Sequence, residues 1–276
     1  MLQLGATTLD CPAVMGILNV TPDSFSDGGR FIGQTAALQH AERMAANGAA
    51  IIDIGGESTR PGARAVGEQE EIDRVLPVIE AVAAATDAPV SIDTSKPGVM
   101  RAAVAAGASM INDVRALREQ GALEAVAELD VPVCLMHMRG EPRTMQQNPT
   151  YDDVVAEVSA FLRNRVAECV AAGIDAESIV IDPGIGFGKR PRDNVELLAN
   201  LRQLVDLGRP VLVGVSRKST LGKLTGRDVH DRLPASLGAA VMAVERGAHI
   251  VRAHDVGETV DALRVARAII ESDARK

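Results

Sequence analysis

The chain has 276 residues, of which 46% are hydrophobic and 24% charged, and its formal net charge is −8. This length is close to the roughly 250 residues of one α/β barrel. Its apolar runs are shorter than the ~18 residues of a membrane span, and an acidic chain is a poor general binder of phosphate backbones. We therefore expect one domain over residues 1–276, with no membrane and no nucleic acid as partners.

The cysteines indicate the compartment. Cys11, Cys134 and Cys169 are odd in number and lack the spacing of metal ligands, and no basic residue precedes Arg30. This pattern favours a reducing environment and offers no basic region of a signal peptide. We expect a cytoplasmic protein.

Short β-branched runs alternate with amphipathic stretches along the whole chain. The runs cover residues 14–20, 50–55, 89–94, 109–114, 132–138, 178–184, 210–216 and 249–255. The clearest helical stretches cover residues 35–49, 151–173 and 194–208, with apolar spacing near 3.6 and a Gly at or near each end. Eight such units predict an α/β fold, a (β/α)8 TIM barrel with a parallel sheet. An open, doubly wound sheet with an extra strand is the structural alternative.

Each apolar run ends in polar residues. They are Asn19, Asp53, Asp93, Asn112 with Asp113, His137, Asp182, Ser216, and Arg252 with His254 and Asp255. One such residue alone is typical of a loop cap or an Asx turn. Eight at corresponding positions favour a pocket at the C-terminal mouth of the barrel, where active sites of this fold lie.

Three of these residues are suited to a ligand with hydrogen-bond donors. Asp93, Asn112 and Asp182 end three strands, and such groups inside a barrel need donors. A heterocycle with an amino group beside a ring N–H supplies them. The alternative is that Asp93 and Asp182 only accept bonds from neighbouring loop amides.

A second group is cationic. Arg60, Lys218, Arg252 and His254 lie on loops or strand ends that share the predicted mouth. Several cations and a helix start after "VSRKST" favour a phosphate or diphosphate site. Arg217 is as compatible with an exposed position at a helix start as with a role in this site. Asn19 suits a Mg²⁺ site that is completed by substrate phosphates.

The aromatic residues point to flat ligands. "DPGIGFGK", residues 182–189, lacks the spacing and the hydroxyl of a Walker loop. Its Phe187 is placed to cover a ring, and Phe25 to contact a second substrate. Met136 lines the ring pocket if it points inward, and core filling is the alternative.

Eight motifs together resemble the dihydropteroate synthase family. They are "MGILNVTPDSFSDGG", "DIGGESTRPGA", "SIDT", "INDV", "CLMHM", "DPGIGFGK", "GVSRKS" and "HDV". The resemblance runs in order from about Val14 to about Val256. It implies a transferase that joins 6-hydroxymethyl-7,8-dihydropterin diphosphate to 4-aminobenzoate, with Mg²⁺ and release of pyrophosphate. This family is the target of sulfonamides.

The resemblance also implies roles for individual residues. The pterin set is Asp93, Asn112, Asp182 and Lys218, with Met136 and Phe187 near the ring and Gly214 allowing close approach. The diphosphate anchors are Arg252 and His254, with Thr59 and Arg60 nearby, and Asn19 binds the metal. The aminobenzoate side has Phe25, Pro61 and Ser219. Catalytic roles are assigned to Lys218, Arg252, His254 and Arg60.

The resemblance further implies long first and second βα loops that close over the substrates, and a homodimer. A pterin-dependent methyltransferase and a catalytically silent pterin-binding paralogue are the alternatives. The first should lack the "TPDSFSDGG" and "STRPG" loops, and the second should have lost Asn19, Arg252 or Lys218. All of these are present.

Overall fold

The computed structural model describes residues 2–4, 7–20, 29–58, 62, 64–141 and 144–273. Within these residues a two-stranded sheet and an eight-stranded parallel sheet occur. The strands are β1 Leu2–Leu4, β2 Thr7–Leu9, β3 Ala13–Asn19, β4 Ile51–Gly55, β5 Val90–Asp93, β6 Met110–Asp113, β7 Val133–Met136, β8 Ile179–Asp182, β9 Leu212–Gly214 and β10 Ile250–Ala253. The last eight coincide with the eight predicted runs.

Helices connect the parallel strands and cover the outside of the sheet. They are α1 Gly29–Ala46, α2 Glu68–Ala85, α3 Pro97–Ala105, α4 Ala122–Leu129, α5 Val154–Ala171, α6 Pro191–Ala199, α7 Leu201–Val205, α8 Ser219–Thr225, α9 Leu233–Glu245 and α10 Val256–Asp273. None of the helices within the described ranges is long and apolar enough to cross a membrane.

The parallel sheet closes on itself. Its order is β8-β7-β6-β5-β4-β3-β10-β9, and the two end strands meet where Ile181 N donates to Pro210 O at 2.9 Å. A bridge between Ile181 and Val211 continues the closure. The predicted barrel is therefore confirmed, and the open sheet is not the fold.

Because side chains alternate between the two faces of each strand, the core has two parts, one inside the barrel and one between the sheet and the helices. Met15, Ile51, Met110, Cys134, Val180, Leu212 and Ile250 form one cluster, contributed by seven strands that meet in the barrel interior. Residues of opposite parity, such as Ile52, Ile111 and Val213, belong to the larger cluster beneath the helices. Residues two positions after the interior set therefore face the barrel axis at its mouth.

Three features of the fold differ from the sequence prediction or add to it. The antiparallel hairpin of β1 and β2 was not predicted, and its Leu9 packs into the lower end of the interior cluster. The stretch 194–208 contains two helices, because Asn200 at φ −107° and ψ 23° separates α6 from α7. The first and second βα connections, 20–28 and 56–67, are long as predicted, but the fifth, 137–153, is longer.

Candidate active site at the mouth of the barrel

A small cleft opens at the C-terminal ends of the parallel strands. It is lined by Asp93, Asn112, Val114, Met136, Asp182, Ile185, Phe187, Gly214, Lys218 and Arg252. Most of these are the residues assigned to the pterin set, and Arg252 joins them. Val114 and Ile185 were missed, because apolar residues at strand ends carry no signal that separates pocket from core. The structure thus brings together in one cleft side chains from five different strands.

Arg252 lies at the centre of the charge network in this cleft. Its Nε donates to Asp53 Oδ2 at 2.6 Å, and its Nη2 donates to Asp93 Oδ2 at 2.8 Å. Asn112 Nδ2 donates to the same Asp53 oxygen at 3.1 Å. The two carboxylates raise the pKa of Arg252 and keep the guanidinium charged, although burial opposes them. Nη1 has no recorded partner among the described residues and is the donor left for a ligand.

Asp53 was noted as a polar strand end but was not assigned a role. It is fully buried on β4 and binds both Arg252 and Asn112. It therefore orients two side chains of the cleft. The signal for it was present in the sequence, since Asp53 shares interior parity with Ile51.

The carboxyl groups of Asp93 and Asp182 are held differently. Asp182 Oδ1 accepts from Gly184 N at 2.7 Å, so the loop-amide alternative is correct for one of its oxygens. Asp93 is bound by Arg252 instead. Burial raises the pKa of Asp93 to about 7, with Arg252 opposing the shift, and burial also raises the pKa of Asp182.

An aromatic ring and a lysine form one wall of the cleft. Lys218 Nζ lies 4.2 Å from the centroid of the Phe187 ring, which is a cation–π contact. Burial and the positive charge of Arg252 lower the pKa of Lys218 to about 8. Met136 points inward beside Phe187, and His137 points outward against Phe161 with ring centroids 4.9 Å apart. Of the two roles considered for Met136, the structure places it in the lining of the cleft.

The loop that carries Phe187 is fixed by a buried lysine. Lys189 is 2% exposed, and its Nζ donates to the carbonyls of His137, Gly184 and Phe187 at 3.2, 3.0 and 3.1 Å. The same Nζ lies 2.8 Å from His137 Nδ1. Lys189 therefore joins the fifth and sixth βα connections. Sequence reasoning missed it, because nothing in "GFGK" separates a buried lysine from an exposed one.

Glycine is required where those two connections meet. Gly184 has φ +67°, and a Cβ there would lie 1.9 Å from His137 O. Gly188 has φ +62°, and a Cβ there would lie 2.2 Å from Arg139 O. Neither position accepts a side chain without movement of the neighbouring backbone. The glycines of "DPGIGFGK" thus serve close packing of loops beneath the cleft.

Some of the polar strand ends have structural roles. Asp113 has the opposite parity to Asn112, and its carboxylate accepts from Arg115 N at 2.8 Å and Leu117 N at 2.6 Å. Arg217 is not an exposed helix start, since its Nε donates to Asp255 Oδ2 at 3.0 Å. With φ +56°, Arg217 turns the chain so that Lys218 enters the cleft and α8 begins at Ser219.

The predicted metal position lies at the same end of the barrel. Asn19 ends β3 beside Gly55 of β4 and is half-buried. No partner of its side chain is recorded among the described residues, while Arg252 already binds Asp53 and Asp93. The described part of the chain holds no group of three acidic, His or Cys side chains suited to a metal. One free amide oxygen fits an ion whose other ligands are phosphate oxygens and water.

Four predicted site residues, Phe25, Thr59, Arg60 and Pro61, lie outside the described residues. Ser219 begins α8 as predicted, with Lys218 as the preceding cap residue. A larger cleft lies at the opposite end of the barrel, between the β1–β2 hairpin and α10. It contains none of the predicted site residues.

Comparison with known proteins identifies the class of enzymes to which this chain belongs. Residues 15–254 match the family of pterin binding enzymes, and the chain belongs to that family. Within it, the chain is 52% identical to the dihydropteroate synthase of Escherichia coli K12, over 98% of this chain and 96% of that protein.

Two solved structures are similar over nearly the whole chain. The Yersinia pestis dihydropteroate synthase in complex with a sulfonamide drug has a TM-score of 0.92 and 51% identity, covering 97% of this chain and 98% of that one. The Xanthomonas albilineans dihydropteroate synthase in complex with 7,8-dihydropteroate has a TM-score of 0.87 and 54% identity, covering 95% of each chain. The resemblance read from the eight motifs is confirmed.

Proposed function

We propose that this protein is a dihydropteroate synthase, a transferase of folate biosynthesis. It joins 6-hydroxymethyl-7,8-dihydropterin diphosphate to 4-aminobenzoate and releases pyrophosphate. The observation that carries the proposal is the cleft in which Asp93, Asn112, Asp182 and Lys218 meet beside Arg252. The 7,8-dihydropteroate bound to the Xanthomonas relative supports the same product for this chain. The sulfonamide bound to the Yersinia relative supports inhibition of this chain by sulfonamides.

The cleft is complementary to a pterin ring. The carboxylates of Asp93 and Asp182 accept bonds from an amino group and from ring N–H groups, and Lys218 donates to ring acceptors. Phe187 covers the face of the flat ring, and Met136 and Val114 contact it with apolar surface. Because Asn112 and Asp182 are buried and Asp93 and Lys218 are half-buried, a ligand without the matching groups leaves them unpaired. This requirement gives the site its selectivity.

The chemistry begins with loss of diphosphate from the methylene carbon of the pterin. The C–O bond breaks, its electron pair leaves with the diphosphate, and the dihydropterin ring stabilises the carbon cation. Arg252, on β10, and His254, directly after it, are assigned to take up charge on the leaving group. The nitrogen of 4-aminobenzoate then forms the new C–N bond and loses one proton. No protein nucleophile is needed.

Magnesium is part of the proposal, with Asn19 as its protein ligand. Bound Mg²⁺ would supply Lewis-acid stabilisation of the charge on the leaving group. Asn19 would hold the ion from the end of β3, which is paired with β10, the strand of Arg252. The aminobenzoate side is assigned to Ser219 at the start of α8, with Phe25 and Pro61 from the first two loops. Thr59 and Arg60 complete the diphosphate end.

The test is pyrophosphate release by the purified protein from the pterin diphosphate. We expect release that requires both Mg²⁺ and 4-aminobenzoate, with 7,8-dihydropteroate as product and sulfonamides competing with 4-aminobenzoate. Tight pterin binding without turnover would instead identify a silent paralogue. Methyl transfer to a corrinoid protein would identify the methyltransferase alternative.

We further propose that this synthase acts in the cytoplasm as a homodimer. Met242 of α9 is 47% exposed, and Val265 and Ile269 of α10 are 62% and 60% exposed, although all three are apolar. α9 and α10 are packed neighbours at the end of the chain. Exposed apolar residues on adjacent helices are typical of a surface between copies.

A further inference from the structure

Ser216 and His254 follow neighbouring strands at the mouth of the barrel. Gly214 of β9 is paired with Arg252 of β10, so the residues two positions further along each strand also meet. Ser216 Oγ lies 3.0 Å from His254 Nδ1, and the backbone N–H of His254 donates to the same Oγ at 3.2 Å. Ser216 is buried, with 7% exposure. One hydroxyl therefore contacts both the backbone and the ring of His254.

The location of the hydroxyl proton determines the state of the ring. A serine hydroxyl has one proton and two lone pairs, and the backbone N–H of His254 occupies one lone pair. A buried hydroxyl proton needs an acceptor. His254 Nδ1 is the acceptor within reach, and none other is recorded for this proton among the described residues. If Nδ1 carried a proton itself, two donors would point at the oxygen and the hydroxyl proton would be left unpaired.

We infer that Ser216 is a positioning residue that holds His254 as the neutral tautomer with its proton on Nε2, so that the ring offers an N–H donor to the leaving diphosphate. The assignment of the diphosphate rests on the proposed function. The tautomer rests on the contacts of Ser216 alone. His254 then contributes an N–H donor in a fixed orientation, and Ser216 acts on the leaving group only through this ring.

The surroundings of His254 support a neutral ring. The charged groups that act on it are Arg252, Arg217, Lys218 and Asp255. Burial and the three cations lower the pKa of His254 to about 4, and Asp255 opposes them. At neutral pH the ring therefore has a single proton, and its position on Nδ1 or Nε2 decides what the ring offers to a ligand.

The first measurement is the tautomer itself, by two-bond ¹H–¹⁵N NMR of protein labelled at histidine. The chain has five histidines, and a His254→Gln variant assigns the signal. We expect an unprotonated Nδ1 and a protonated Nε2 at pH 7. In Ser216→Ala we expect this signal to shift towards the average of the two tautomers. Ser216→Thr keeps the hydroxyl, so we expect it to show the wild-type signal. His230, on an exposed turn, serves as the unchanged reference.

The second measurement is steady-state kinetics of the same variants. Loss of one oriented donor should lower kcat of Ser216→Ala by ~10-fold, with little change in KM for 4-aminobenzoate. Ser216→Thr should recover most of the rate. An Nδ1-protonated ring in the active wild type would overturn the inference, and so would a Ser216→Ala variant that matches the wild type in both measurements. An inactive protein with the expected tautomer would overturn the proposed function and leave the tautomer assignment standing.

Discussion

Replacing Lys189 by Met tests whether the buried lysine holds the cleft together. The change removes the partner of three acceptors, His137 O, His137 Nδ1 and Phe187 O, whereas Gly184 O keeps the bond that it accepts from Phe187 N at 3.0 Å. An unpaired buried acceptor costs about 2 kcal/mol, or about 6 kcal/mol for three. The variant no longer buries a charge, which returns about 4 kcal/mol. We expect the free energy of unfolding to fall by about 2 kcal/mol.

The same change should weaken binding of the pterin. Gly184 and Phe187 belong to the loop that carries one wall of the cleft. That loop loses its bonds to Lys189 and keeps those from Gln146 and Tyr151 of the fifth connection. We expect the Kd for 7,8-dihydropteroate to rise by about 10-fold, which corresponds to about 1.4 kcal/mol.

Urea denaturation and titration calorimetry measure the two effects. Lys223→Met is the matched control, because Lys223 is exposed on α8, and it should leave both quantities unchanged. If Lys189→Met kept both wild-type stability and wild-type affinity, the assignment of Lys189 as an attachment between the two loops would be wrong.

Three further predictions concern charge, pH and assembly. Arg252→Lys loses the fork that reaches Asp53 and Asp93 at once, so initial rates should show kcat/KM lower by about 100-fold; a change below about threefold contradicts the assignment. His137 is 5% exposed, and burial and Lys189 lower its pKa to about 2. Below pH 6.5 the unfolded chain therefore binds more protons than the folded one. As the pH is lowered from 6.5 to 5, the free energy of unfolding falls by about 2 kcal/mol. Denaturation at both pH values should show a smaller loss in His137→Gln, and an equal loss would refute the role of this ring. Light scattering should report a dimer, and Val265→Arg a monomer; a monomeric wild type would contradict the α9–α10 interface.

The sequence alone was enough to determine the barrel and the chemistry of its mouth. Strand parity and apolar run length depend on residues close together in the chain, so the eight strands and their polar ends could be read directly. Asp93, Asn112, Asp182 and Met136 were proposed for the site in this way, Phe187 and Lys218 from the composition of their loops, and the motif resemblance supplied the pterin expected there. The structure brings all of them to one cleft.

Only the tertiary structure decided which polar residues act together. Arg252 and Asp53 are 199 positions apart, and closure of the barrel sets their contact. Lys189, Ser216 and Arg217 acquire their roles from loops that meet across neighbouring strands, and no local pattern encodes such a meeting. The hairpin of β1 and β2 likewise depends on the open end of the barrel that it covers. Composition and periodicity specify which elements form, whereas a buried partner depends on register between distant segments.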